Sequence, residues 1–157
     1  MARFHKSVGE AWARNLEEWR TNPDAVKFAI LNASITSGYF RYFVGGDIPD
    51  SAFFALMVEI AKTVKTCQYL AFTKKYHIVN EYISNGGEIP ENLHIIFSEW
   101  DKPIENPHNL PKSKVIFKGE EEPKNAKICG GNCLDCICKG VACWALKNGE
   151  TIHFYEH

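Results

Sequence analysis

Five of the chain's six cysteines fall within fifteen positions, in the stretch KICGGNCLDCICKGVACW that spans residues 127 to 144. Cys129, Cys133 and Cys136 form a C-x3-C-x2-C pattern, Cys143 follows Cys136 after six intervening residues, and Cys138 is an extra thiol between them. Thiolates packed this densely repel one another unless a soft cation replaces the repulsion with metal–sulfur bonds. The chemistry indicated is therefore zinc or an iron-sulfur cluster. Gly130 and Gly131 let the backbone turn tightly around such a centre. Zinc modules normally draw on two short-spaced cysteine pairs separated by a longer loop, whereas compact runs of this kind more often carry iron-sulfur clusters. Neither buried free thiols nor a single disulfide explains why all five lie in one loop.

The candidate ligands are Cys129, Cys133, Cys136 and Cys143, with His153 and His157 as alternatives. Cys67, alone at the start of a strand-like run, reads as a small core residue. Three cysteines on a 4Fe-4S cluster leave one iron open to S-adenosylmethionine. A fourth closes the cluster and makes its role structural or electron-transferring. The closed site is the reading favoured here.

The elements that must position these thiols follow from periodicity. Ser7 can cap a first helix that presents Val8, Ala11, Trp12, Leu16 and Trp19, with Glu10 completing a capping box. Residues 24 to 37 fit either helix or strand by pattern, and their length and the Gly38 that follows favour a second helix. YFRYFVGGD (39 to 47) reads as a buried strand running into a tight loop. Asp50 or Ser51 caps a helix whose apolar face is Phe53, Leu56, Met57, Ile60, Ala61 and Val64. CQYLAFTKK (67 to 75), YHIVNEYISNGG (76 to 87) and LHIIFSEW (93 to 100) repeat the strand–helix–strand alternation. After the proline-rich connector DKPIENPHNLPKSK come a candidate strand at 114 to 118, a charged loop GEEEPKNAK, the cysteines, and a final strand-like run ETIHFYEH.

Strands that are apolar nearly throughout and alternate with helices predict parallel β-α units. The expected fold is a small α/β protein: a mainly parallel sheet of three to four strands with flanking helices, resembling part of a β/α barrel. Residues 1–118 form the α/β domain, and residues 119–157 form a cysteine-rich metal-binding segment packed on it. Ligands of open α/β sheets bind at the carboxyl ends of the strands. Here those ends place Asp47, Thr73, Lys74 and Ser98 around a candidate ligand-binding crevice. Asp47 and Asp50 can equally serve as helix caps, and the lysines as solvated charge.

The formal net charge of -1 over 157 residues argues against nucleic acid as a partner, although Lys62, Lys65, Lys74, Lys75, Lys112 and Lys114 could supply phosphate contacts. No apolar run approaches the length of a membrane span, and the opening MARFHKSVGEAW has no secretory pattern. A cytoplasmic location, with reduced thiols, is the expectation.

The segments FRYFVGGDIPD, YLAFTKKYHIVNEY, PENLHIIFSEWDKP, NPHNLP and the closing CGGNCLDC...CWALKNGETIHFYEH resemble, as a set, the phage and prophage proteins of the gene product 88 family. The resemblance implies Cys129, Cys133, Cys136 and Cys143 as the family cysteines, with Cys138 a local addition, and a setting in the host cytoplasm. Longer members carry another cysteine-rich stretch upstream of the first helix, whereas this sequence has no cysteine before Cys67. FTKK, PENL and SEW are also more loosely similar to the β-α units of radical S-adenosylmethionine proteins, a likeness of fold. Those enzymes carry their three cysteines after the first strand and not near the C-terminus. The functions expected are an iron-sulfur protein of structural or redox role, a reduced form of the radical enzymes with S-adenosylmethionine as co-substrate, or a zinc-stabilised, non-enzymatic module that engages a host or phage protein.

Overall fold

Local signals set the ends of the helices. The computed structural model describes residues 6–100, 102–139 and 142–156. It opens on a helical pair, α1 (Lys6–Thr21) and α2 (Pro23–Ser37). Asn22 caps α2 by accepting the Ala25 N–H, Pro23 starts its first turn, and Gly38 closes it at φ 63°. The chain then alternates through β1 (Tyr39–Arg41), α3 (Ser51–Thr63), β2 (Gln68–Thr73), α4 (Tyr76–Ser84) and β3 (Leu93–Glu99). The remaining elements are β4 (Lys112–Ile116), β5 (Lys127–Ile128), α5 (Cys133–Lys139), a 3-10 helix (Ala142–Ala145) and β6 (Thr151–Tyr155). Asp50 caps α3, accepting the Phe53 N–H at 2.8 Å.

Some boundaries differ from the sequence reading, and β4, for one, spans Lys112–Ile116 where residues 114 to 118 are expected. Helix α1 already contains Ser7, so Ser7 is not the residue in front of it. Strand β1 is confined to the first three residues of the 39–47 run, and it is mostly exposed where a buried strand is expected. Its ladder ends after the Tyr42 N–H reaches the Leu70 carbonyl at 2.8 Å, because Phe43 turns to φ 51°.

The α/β class and the parallel sheet are as expected, and the sheet is larger than expected. Six strands lie in the order β1-β2-β3-β4-β6-β5, and every neighbouring pair is parallel. Strand β6 pairs with β4 from Lys112↔Thr151 to Ile116↔Tyr155, and the two-residue β5 completes the edge of a sheet curled into a half-barrel. Both strands come from the C-terminal segment.

Side chains alternate between the two faces of each strand, and the two faces have different cover. Tyr69 and Ala71 of β2, with Leu93, Ile95 and Phe97 of β3, pack under α3 and α4 in the larger core, beside Phe54, Met57, Ile60 and Val79. Leu70, Ile96 and Ile152 face the other way, where Cys143 and Leu146 cover them. Chain direction explains the division. From β1 to β4 successive strands step one way across the sheet, whereas the step from β5 to β6 runs back. A right-handed crossover that reverses its direction lies on the opposite face, which is where the cysteine segment is found. Among the described residues no helix is long and apolar enough to cross a membrane.

Tyr42 is buried against Tyr69, ring centroids 5.9 Å apart, and its hydroxyl has no hydrogen-bond partner. Burial pushes this phenol far up, and the nearby Tyr69 and Cys67 add to the shift. The folded state therefore keeps its proton after the unfolded chain has lost it. Stability from this source is complete below about pH 10 and falls as pH rises above it. Tyr42→Phe removes an unpaired buried hydroxyl. Its thermal midpoint at neutral pH should equal or exceed that of the wild type, and it should lose less stability in alkali.

Candidate metal centre

Three elements deliver the clustered cysteines. Cys129 follows β5 and is held by its N–H to the His153 carbonyl at 2.8 Å. Its sulfur accepts the Gly131 N–H at 3.4 Å, across a turn in which Gly131 takes φ 79°. That conformation favours glycine. Asn132 then accepts the Leu134 N–H at 3.0 Å and starts α5. Cys133 and Cys136, three apart on this helix, share one side of it. Cys138 is turned well away from them at ~100° per residue, and it is exposed. Cys143 arrives on the 3-10 helix, buried among Leu70, Ile96, Leu146 and Ile152, with Cys129 packed at the margin.

The surroundings of Cys143 raise its thiol pKa. Burial first, and then the charges of Cys129, Cys133 and Cys136, push the Cys143 thiol up to about 12, while Arg41 pulls it down. Cys138 is not among these influences. Among the described residues, no three His, Cys, Asp or Glu side chains already stand in a ligating arrangement. The thiols lie on adjoining elements of one face and form no preformed cage. As a donor set they fit a soft cation, since four sulfur ligands saturate tetrahedral zinc or a 4Fe-4S cluster. His153 is placed differently. It follows Ile152 on β6, so its ring lies on the face away from the thiols, buried, with Nδ1 unpartnered. His157 lies outside the described residues.

The sequence reading missed Arg41 and Trp144. Arg41, the last residue of β1, donates from Nη1 to the Cys133 sulfur at 3.3 Å and stands 5.3 Å from the Phe72 ring centroid. Trp144 meets Tyr39 edge-on at 5.2 Å and His94 at 6.2 Å, while His94 and Gln68 share a 3.0 Å hydrogen bond. A lone cation inside the apolar run YFRYF was the available signal for Arg41.

At the strand ends the structure joins three of the four crevice residues. Asp47 Oδ1 accepts from Thr73 Oγ1 at 2.5 Å and from the Ile48 N–H at 2.7 Å, and Oδ2 accepts the Lys74 N–H at 2.8 Å. Thr73 Oγ1 in turn accepts the Lys75 N–H at 2.9 Å. The Lys74 ammonium sits 4.9 Å from the Trp100 ring centroid. Ser98 lies apart. Thr73 is level with Phe97, so Ser98 points to the opposite face, and its carbonyl accepts the Tyr76 hydroxyl. Glu99 is closed by Lys112 at 3.1 Å and Lys114 at 3.3 Å; burial pushes its carboxyl up, and the two ammoniums outweigh that and hold it below the usual range. The two glycines before Asp47 are steric requirements. A Cβ on Gly45 would meet Trp12 at 1.9 Å, and Gly46 has φ 93°.

The profile of the gene product 88 family matches residues 1–152. The chain belongs to that family. No curated protein and no solved structure matches it. The looser likeness to radical S-adenosylmethionine proteins finds no support in these comparisons.

In this family member the Asp47 carboxylate acts as a latch between the loop after β1 and the end of β2. Asp47→Ala leaves three donors without their acceptor. It should lower unfolding free energy by about 2–4 kcal/mol in urea titrations with little change in slope. The metal content expected below should be unaffected.

Proposed function

We propose that this gene product 88 family member is a cysteine-ligated metal protein. Cys129, Cys133, Cys136 and Cys143 would hold a 4Fe-4S cluster that fastens the C-terminal segment across the second face of the sheet. The observation that supports this is that the turn after β5, one side of α5 and the 3-10 helix carry Cys129, Cys133, Cys136 and Cys143 to the second face of the sheet, with Cys138 turned away. When bound, such a cluster supplies one-electron transfer or a structural crosslink. The protein's own part is to bring Cys143 out of water against Leu70, Ile96 and Ile152, and to present Cys133 and Cys136 from one side of α5. A four-thiolate centre leaves no iron open, so the reading assigns no S-adenosylmethionine chemistry.

Zinc is the second reading, and the modest apolar cover of the segment favours it. Among the described residues, besides Cys143 only Leu146 of this segment joins the buried cluster against Leu70, Ile96 and Ile152. A structural metal adds on the order of 10 kcal/mol to a segment with little core of its own. In that reading the protein is a non-enzymatic module that engages a host or phage protein.

Anaerobic purification followed by iron, sulfide and zinc analysis decides the matter. A brown protein with iron and sulfide, absorbing near ~400 nm, is the expected result. A colourless protein with zinc selects the second reading, and a metal-free protein that takes up neither overturns both. Cys133→Ser, at an exposed position, should lose the metal, whereas Cys138→Ser should retain it.

A further inference from the structure

The thiol site has a built-in cation. Arg41 lies level with Leu70 in the parallel ladder, so its side chain emerges on the face that Cys143 and Trp144 cover. Two contacts then orient it: the guanidinium carbon is 5.3 Å from the Phe72 ring centroid, and Nη1 donates to the Cys133 sulfur at 3.3 Å. Phe72 is two residues beyond Leu70 on the same strand face, so the ring that steadies the guanidinium is fixed by the sheet itself. A planar, permanently charged group stacked on an aromatic ring is preorganised in a way that a lysine ammonium is not.

Charge balance gives this arrangement a purpose. Four thiolates around zinc, or around an oxidised 4Fe-4S cluster, leave a net charge of roughly −2. Much of it must be accommodated beside apolar side chains, where uncompensated charge is costly. We infer that Arg41 is the positioning residue of the cysteine centre: it holds the Cys133 sulfur on the sheet side of α5 and offsets the negative charge of the ligand set. The inference rests on the metal reading above. It goes further by assigning a residue outside the cysteine segment, 92 positions from Cys133, to the assembly of the site. It also makes β1 a functional part of the centre, because the three-residue strand carries Arg41 at its end.

The test is zinc affinity, measured by chelator competition on wild type, Arg41→Gln, Arg41→Lys and Phe72→Leu, with Lys27→Gln as a remote control. Lys27 pairs with Glu59 on the helical side of the molecule. Outer-shell partners of metal ligands typically control affinity by about 10–100-fold. Arg41→Gln should weaken binding within that range. Arg41→Lys should recover part of the loss, Phe72→Leu should fall between wild type and Arg41→Gln, and Lys27→Gln should bind as the wild type does. A purely structural role would not respond to salt. Here the gap between wild type and Arg41→Gln should narrow as salt rises toward about 1 M, because the guanidinium is exposed to screening. If Arg41→Gln proves unfolded, the lysine and Phe72 variants carry the comparison. Wild-type affinity with Arg41→Gln unchanged, or a gap indifferent to salt, overturns the assignment of Arg41 while leaving the metal reading intact. Failure of the wild type to bind zinc or to carry iron overturns the metal reading, and this inference with it.

Discussion

A parallel sheet has to be covered on both faces, and the two covers of this one are unequal in kind. On one side α3 and α4 supply a deep apolar layer, with Phe54, Met57, Ile60 and Val79 excluded from water. On the other, a short helix, a 3-10 helix and a handful of side chains meet Leu70, Ile96 and Ile152. Right-handed connectivity compels this inequality. Once the step from β5 to β6 reverses the direction of travel, the intervening chain is committed to the second face, whatever its hydrophobic content. Thiol density is greatest where hydrophobic cover is thinnest, and a metal centre is one way to make a thin cover stable.

Elsewhere, charge is largely spent on holding the framework. Asp47 is saturated by two amides and a hydroxyl, Glu99 by two lysines, and Lys74 rests on Trp100. The polar groups that gather at the ends of β2 and β3 are therefore mutually satisfied. The chemically distinctive groups on the second face are the clustered thiols, and Arg41 of β1 donates to one of them.

Much of this was legible in the sequence, for physical reasons. Helices α2 and α3 are marked in the sequence by Gly38 and Asp50, because caps are local, whereas the Asn22 cap of α2 lies in a stretch that reads only as the stop of α1. The clustering of the cysteines was legible from spacing, and the structure adds that Cys138 lies on a different side of α5 from Cys133 and Cys136. Strand β5 was not legible, since two residues carry no periodicity, and its existence depends on β6 already being in place. The crevice was half legible. Ser98 is separated from Thr73 by the β2–β3 register, which sets Thr73 level with Phe97, and the bond between Asp47 and Thr73 joins residues 26 positions apart and depends on how the β1 loop folds back. Pairs such as Glu99 with Lys114 require the β3–β4 register, which no single segment encodes.

The placement of β6 between β4 and β5 has a kinetic side. Strands β4 and β6 are separated in sequence, and β5 pairs with β6 at the sheet edge, so forming this edge requires a long loop closure. The thiols lie on either side of that closure, Cys129 just after β5 and Cys143 shortly before β6. Any ion that bridges them early shortens the effective loop before the ladder exists. The centre would then act as a nucleus for folding as well as a fastening for the finished fold.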